Sequence, residues 1–513
     1  MLKQKWFRAI FRQRVLIILL LAIQLALVVF IIASRGAAST VLRIILNLIS
    51  VLVSCYVIVR QDSIPAYKLI WVFLILLFPF FGGLFYLLFN FQTSTKRFRK
   101  QVQQSEAKTK KLLSHFEGDY ETAEKEIPEY LPQVTYLQDL AGFPIYKNTE
   151  TTYLTPGEAK FERLLSELEK AEKYIFLEYF IVQEGVMWNA VLEVLKRKAA
   201  EGVKVRLMYD DFGCFVLLPK NYPEQLKKYG IECAIFNPFR PFLTIKQNNR
   251  DHRKIVSIDG KIAFTGGINL ADEYINVRER HGHWKDASIV LEGKAAWIMT
   301  LMFLQMWAIV TKADEDFGQY YPYADEPCAV ESKGFVQPYA DSPMDTENVG
   351  EHVYMQILHN AKKYVYINTP YLIVDDHMLS ALCLAAKSGI DVRIVTPQNG
   401  DKWFVHTTTR SYYRQLLRAG VKIYEYTGGF IHSKTFVSDD RVATVGTTNL
   451  DYRSLYLHFE CGVWMCDTKA VHEVRDDFLE TLKICTPISE EDCKCGVFKR
   501  TVQDFLRLFA PFM

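Results

Sequence analysis

Two copies of one spaced triplet stand out in the chain, His252-x-Lys254-x4-Asp259 and His432-x-Lys434-x4-Asp439, and each is followed at the same offsets by a glycine and an asparagine: Gly266 and Asn269, then Gly446 and Asn449. Two imidazoles, two ammonium groups and two amides form a set suited to an anionic phosphorus centre. In the transition state of a phosphodiester reaction negative charge grows on the non-bridging oxygens, and preorganised cations and N–H donors stabilise it. One histidine can attack phosphorus to give a phosphohistidine. The other can protonate the leaving alkoxide and later deprotonate the incoming alcohol. Imidazole titrates close enough to neutrality for both tasks. The set lacks the carboxylate cluster that a catalytic magnesium pair requires, so neither a metal nor another cofactor is expected. The candidate catalytic residues are therefore His252, Lys254, Asp259, His432, Lys434 and Asp439, with Asn269 and Asn449 as substrate-binding donors.

Each imidazole needs a partner that fixes its tautomer and orientation. Asp286, in Trp284-Lys285-Asp286, and Glu460, in His458-Phe459-Glu460, follow the two triplets at similar distances. The assignment by chain order is Asp286 to His252 and Glu460 to His432. His281, His283, His406 and His458 read as hydrogen-bonded structural residues, and Glu178 reads as a buried structural carboxylate outside the site.

The elements that must position these groups come in duplicate. In the first half, a helical pattern from Gly157 to Ala171 leads to a strand-like run Tyr174 to Val182, a helix from Trp188 to Ala200 and a strand from Val203 to Met208. In the second half, the order repeats as Val353 to Lys362, Tyr364 to Asn368, His377 to Ser388 and Asp391 to Val395. Alternating strands and amphipathic helices predict α/β domains built from βαβ units around a mostly parallel sheet. Gly202 and Gly389 each punctuate a helix before a buried strand. Each triplet begins in a strand-like run, where residues two apart share a face. His252 and Lys254 thus point the same way, as do His432 and Lys434. Asp259-Gly260 and Asp439-Asp440 read as hairpin turns. If the halves pack about a pseudo-two-fold axis, both triplets face one cleft.

Upstream lies an apolar region. Residues 15–34 carry no charge, residues 40–59 are interrupted only by Arg43, and a third stretch runs from Leu69 to Phe89. About 20 apolar residues suffice to cross a bilayer, so two to three transmembrane helices are expected within residues 1–95. Lys3, Lys5, Arg8, Arg12 and Arg14 precede the first stretch, and Lys96, Arg97, Arg99 and Lys100 follow the third. The positive-inside rule wants both flanks in the cytoplasm, which three crossings cannot satisfy. A cell-membrane, multi-pass protein with cytoplasmic catalytic domains is the expectation. Residues 96–145 read as a polar connector, 146–330 and 331–485 as the duplicated domains, and 486–513 as an amphipathic tail. In that tail Phe498, Val502, Phe505, Phe509 and Phe512 recur at helical spacing among Lys499, Arg500 and Arg507, a pattern that suits either a helix on an anionic membrane or one packed on its own domain.

Composition narrows the choice. The chain has 513 residues, half of them hydrophobic, which excludes a disordered protein, and a formal net charge of only +3, which excludes a general polyanion binder. Its ten cysteines show no paired zinc-type spacing and read as free thiols. A nuclease would want a basic groove and no anchor, so no nucleic-acid partner is expected. A catalytically silent scaffold would be expected to have lost a histidine or lysine from one triplet, and all four are present.

These motifs resemble the phospholipase D superfamily, whose HxKxxxxD motif occurs twice. The likeness covers about residues 145 to 470. More narrowly, Tyr209 to Gly213 (YDDFG), Thr369 to Tyr371 (TPY), the run from Arg410 (RSYYRQLLRAGVKIYEY) and that from Thr447 (TTNLDYRS), behind an apolar N-terminus, resemble bacterial cardiolipin synthases. The resemblance implies transfer of a phosphatidyl group between two phosphatidylglycerol molecules, with release of glycerol. It implies His252 as nucleophile, His432 as general acid and base, Lys254, Lys434, Asn269 and Asn449 around the phosphate, and a role for Asp259 and Asp439 more structural than chemical. Hydrolysis, or transfer to another alcohol such as serine, would use the same intermediate. His458 departs from the family, which usually has asparagine there.

Overall fold

The computed structural model describes residues 36–60, 65–78, 93–113, 118–238 and 245–513, with a few isolated positions between them. It divides into two compact units: Met1–Phe98 with Phe239–Asn248, and Arg99–Pro238 with Asn249–Met513.

In the first unit, the helix Ala37–Val59 spans 23 residues and is long and apolar enough to cross a membrane. Leu48 and Leu52 stand exposed on it, an arrangement that water penalises and lipid does not. The shorter helix Pro65–Leu77 packs beside it through Val53, Val57, Trp71 and Ile75. Among the described residues this is one membrane-spanning candidate rather than two or three. Most of the apolar stretch 15–34 and of the second half of 69–89 lies outside the described residues.

The second unit holds two mixed α/β halves. The strands of the first are β1 (Thr149–Leu154), β2 (Tyr174–Tyr179), β3 (Lys204–Asp210), β4 (Glu232–Phe236), β5 (Ile255–Ile258), β6 (Ile262–Gly266), the short β7 (His283–Lys285) and β8 (Ser288–Gly293). Those of the second are β9 (Phe335–Asp341), β10 (Tyr364–Asn368), β11 (Leu372–Ile373), β12 (Asp391–Pro397), β13 (Lys422–Tyr426), β14 (Gly429–Ile431), β15 (Thr435–Ser438), β16 (Val442–Gly446), β17 (Leu450–Asp451), β18 (Glu460–Cys466) and β19 (Cys485–Ile488). The first main sheet has the order β1-β8-β6-β5-β2-β3-β4. The second runs β9-β18-β16-β15-β10-β12-β13 and then adds β19 at its edge. The duplication is thus complete in strand order.

The sheets are not mostly parallel, as the βαβ alternation suggested. Within the two main sheets only β2-β3-β4 and β10-β12-β13 run parallel, and the first crossover in each passes through a helix, Val186–Ala200 or Asp376–Lys387. The remaining neighbours pair antiparallel. The triplet hairpins impose this. Asp259 and Gly260 (φ 51° and 68°) and Asp439 and Asp440 (φ 57° and 59°) take the two left-handed positions of a two-residue turn, which reverses the chain within a few residues. Gly202 and Gly389 share a φ of 93° just past their helices, and a Cβ at either would meet nothing within 4 Å, so backbone conformation and not space requires glycine there.

Under the first sheet lies Ala296–Thr311, a 16-residue helix with eleven buried residues. A helix apolar all round must be buried, and at this length it serves as a core element packed against β5 and β6. The expected polar connector is helical too. From Arg99 on, the helix Thr93–Leu113 is docked on the catalytic body: Val102 and Leu113 are buried, Lys108 pairs with Asp314 at 2.8 Å, and Gln103 donates to the Met344 carbonyl at 3.3 Å.

Candidate active site

The seam between the halves is made of backbone. Phe459 N–H donates to the Arg250 carbonyl (2.8 Å), and His252 N–H donates to the Phe459 carbonyl (2.9 Å). Across the pseudo-two-fold relation, β14 pairs parallel with β7, and His432 N–H donates to the Lys285 carbonyl at 2.7 Å. Each histidine is therefore zipped to the segment carrying the other half's carboxylate.

The side chains follow. His252 Nδ1 lies 2.9 and 3.0 Å from the two oxygens of Glu460, and His432 Nδ1 lies 2.6 Å from Asp286 Oδ2. This corrects the assignment by chain order: the partners are crossed, Glu460 serving His252 and Asp286 serving His432. The similar spacing along the chain reflected the duplication, whereas the contacts are made across the seam. A carboxylate only accepts, so Nδ1 carries the proton in each ring and the Nε2 lone pair is left for chemistry.

Lys254 Nζ donates to the His252 carbonyl at 2.5 Å, and Lys434 Nζ donates to the His432 carbonyl. Lys434 Nζ also lies 2.9 Å from His432 Nδ1. Because that nitrogen already donates to Asp286, this second contact is charge crowding and not a hydrogen bond. Burial, then the neighbouring ammonium groups, push the imidazoles toward neutrality, His432 down to about 4 and His252 well below its ordinary value. Burial also lowers Lys254 to about 8 and Lys434 to about 7, although nearby carboxylates work against it. Each histidine feels the other half's lysine, so the four groups share one electrostatic environment. Burial tends to raise Asp286, but His432 and Lys434 outweigh it and hold the carboxyl below its usual range.

Asp259 and Asp439 do not join this cluster. Asp259 accepts from the backbone N–H groups of Glu172, Lys173 and Tyr174 (2.7–2.8 Å), and Asp439 from Lys362, Lys363 and Tyr364 (2.6–2.9 Å). Each ties its hairpin turn to the start of β2 or β10, a structural placement of the kind the resemblance implied. Asn269 is buried, with Oδ1 accepting from Ile181 N–H (3.0 Å) and Nδ2 donating to Tyr274 Oη (2.7 Å). Asn449 Nδ2 donates to Ser454 Oγ at 3.1 Å. Asn449 also hydrogen-bonds the Asp451 side chain, whereas the Asn269 amide keeps one further N–H for a ligand.

Several contributors carry no obvious mark in the sequence. Thr447 Oγ1 donates to Glu460, while in the first half Gly267 holds the matching place, where a Cβ would lie 2.0 Å from Asp286 Oδ1. Comparing GGIN with GTTN position by position could have found this difference. Lys160 is buried, donates to Tyr179 Oη and the Ile268 carbonyl, and is lowered to about 7 by burial. Nothing in its helical context marked it. Aromatic rings wall the pocket: Phe180 packs edge-on to His252, and Tyr274 and Trp284 border His432. Glu178 pairs with Arg253 at 2.6 Å, outside the cluster.

Two matching halves that each offer a histidine and a lysine to one seam define the phospholipase D-like class of phosphoryl-transfer proteins. The family profile described as "Cardiolipin synthase, PLD-like domain" matches twice, at residues 164–292 and 354–482, and a "Phospholipase_D-nuclease N-terminal" profile matches residues 45–89. The chain is 36% identical over 485 residues to a cardiolipin synthase of Geobacillus thermodenitrificans, covering 91% of this chain and 94% of that one. It is 36% identical over 468 residues to cardiolipin synthase 2 of Bacillus anthracis, covering 90% of each, and 46% identical over 418 residues (80% and 89%) to an uncharacterised protein of Streptococcus mutans. The crystal structure of phosphatidylserine synthase from Haemophilus influenzae shares the fold, with a TM-score of 0.56 at 14% identity over 72% of this chain and 94% of that one. The chain belongs to the cardiolipin synthase family, phosphatidyltransferases of the phospholipase D superfamily.

Proposed function

We propose that the protein makes cardiolipin by transferring a phosphatidyl group from one phosphatidylglycerol to another, with His252 as nucleophile. The observation that carries this reading is the pair of crossed histidine–carboxylate contacts at one seam, in a chain whose relatives are cardiolipin synthases along nearly their whole length. His252 Nε2 attacks phosphorus, the bond to the glycerol oxygen breaks, and His432 supplies the proton to that leaving group. The terminal hydroxyl of a second phosphatidylglycerol then attacks the phosphohistidine while His432 takes its proton, restoring both rings. Lys254 and Lys434, with the spare N–H of Asn269, hold the phosphate oxygens, and Asn449 joins them by exchanging its contact with Ser454 or Asp451 for one to the substrate. Burial and the ammonium groups push His432 down; a bound phosphodiester anion offsets the ammonium charge and brings the ring back toward a pKa useful for acid catalysis.

The basic flanks on both sides of the apolar region and the helix Ala37–Val59 further support a multi-pass protein of the cell membrane with both halves in the cytoplasm. Reporter fusions at both termini check the sidedness, and an external signal from the C-terminal one would reject it. The activity is tested with purified chain and labelled phosphatidylglycerol in mixed micelles without divalent metal. Cardiolipin and glycerol in equal amounts are expected. Phosphatidate alone would make the protein a hydrolase, and no turnover would make it a scaffold.

A further inference from the structure

The helix Val497–Leu508 is not used by any step above. It has twelve residues and none of them is buried. Phe498 is 84% exposed, Val497 84% and Phe505 56%. Positions 498 and 505 lie two turns apart and share a face, with Thr501 between them. An aromatic edge of this kind on a water-facing helix has no folding rationale.

The opposite side is occupied. The Arg507 guanidinium stacks 4.2 Å over the Tyr412 ring and reaches Gln415 Oε1 at 3.5 Å, which seats the helix on Trp403–Arg418. Beyond it, Arg453 N–H donates to the carbonyl of Met513 at 3.2 Å. Arg453 lies four residues past Asn449, so the tail is pinned beside the candidate site. Lys499 and Arg500 follow Phe498 directly and are both exposed, Arg500 on the side of the helix that carries Arg507; Asp504 is the only acid on the helix, and Lys499 acts electrostatically on His406. One turn before His406, Trp403 is 69% exposed.

We infer that Val497–Leu508, with Trp403 beside it, is an interfacial anchor that lays the second half of the catalytic body on an anionic lipid surface. Exposed aromatic rings together with exposed cations around one helix match the boundary of acyl chains and anionic headgroups, and each alone would bind weakly. A second copy of the chain would present the same cations and repel. The anchor would bring the site to lipids still embedded in the bilayer; it rests on the reading of a lipid substrate but concerns a surface outside the site.

The test uses the full chain in vesicles of phosphatidylglycerol and phosphatidylcholine, with a photo-crosslinking residue replacing Phe498 or Phe505. Mass spectrometry should find lipid adducts, fewer when the vesicles are phosphatidylcholine alone. Adducts to a second copy, or none, would overturn the anchor, and this readout does not depend on turnover. A second measurement compares F498S/F505S with the unchanged chain: turnover should fall about tenfold in vesicles and stay level in detergent micelles. Equal loss in both media would show a structural role instead.

Discussion

The two histidines sit in equivalent places yet are held differently. His252 faces a glutamate that approaches with both oxygens, and Glu460 is in turn held by Thr447. His432 faces the shorter Asp286 through one oxygen at 2.6 Å, has Gly267 where Thr447 would be, and has the Lys434 ammonium against the same nitrogen. A ring that becomes covalently bonded to phosphorus must stay aimed and carry positive charge through the intermediate, which a doubly engaged, anchored carboxylate favours. Both rings are pushed toward neutrality by burial and the ammonium groups, so they differ in how each is aimed and not in resting charge. The proposed division of labour between otherwise duplicated halves rests on that difference in aim.

The strongest way to break this comparison is to remove each ring. His252→Ala and His432→Ala should both lower turnover by about 10⁴-fold or more, because the residues act as a unit. They should differ in the covalent adduct, which rapid quench and mass measurement can see. It should be absent in His252→Ala and should form slowly in His432→Ala with an activated lipid ester that needs no leaving-group proton. The opposite pattern would exchange the two roles.

Next in size are the orienting groups. Glu460→Gln and Asp286→Asn should each lose roughly 10²- to 10⁴-fold in kcat. The crossing adds a sharper test: adduct formation should suffer from Glu460→Gln, as it does from His252→Ala, although the two residues belong to different halves. Gly267→Ala should mimic Asp286→Asn, since the added methyl collides with the carboxylate. If Asp286→Asn instead mirrors His252→Ala in single-turnover assays, the crossed pairing is wrong.

A smaller effect is expected from pH. With Lys434 and Lys254 lowered to about 7 and 8, the free enzyme loses its phosphate-binding charge as pH rises, so kcat/KM should fall progressively above about pH 7. Stability should move the other way. The unfolded chain keeps Lys434 protonated up to its ordinary 10.5, so between about 7 and 10.5 it binds more protons than the folded chain, and stability rises with pH through that window. Parallel pH series of kcat/KM and thermal midpoint separate the two. A kcat/KM that is flat to pH 9 would mean the ammonium groups titrate above about 8.

How much of this was legible depends on the range of the signal. The duplicated triplets, the hairpin turns at Asp259 and Asp439 and the helix–strand order of both halves are local and could be read directly. Pairing across the seam could not. The residues that follow Trp284 and His458 carry no local mark of which strand end they will zip to, and the backbone bonds of Phe459 and Lys285 decide it. Sheet direction failed for a related reason, because strand–helix alternation describes only β2-β3-β4 and β10-β12-β13 while the hairpins set the rest. Lys160 and Gly267 matter through what packs against them, which only the assembled fold shows.

The least effect on chemistry is expected where the halves are most alike. Asp259 and Asp439 each accept three backbone N–H bonds at the entry to a central strand, with nearly identical lengths. Replacing either with alanine leaves those donors to water or to weaker partners, at a cost of about 1 to 3 kcal/mol. Thermal unfolding of Asp259→Ala and Asp439→Ala should show similar losses, while kcat per folded molecule stays within about twofold of the unchanged chain. Unequal kcat values would mean that one aspartate reaches the reaction after all, and that the asymmetry between the halves extends from the histidines to the turns beneath them.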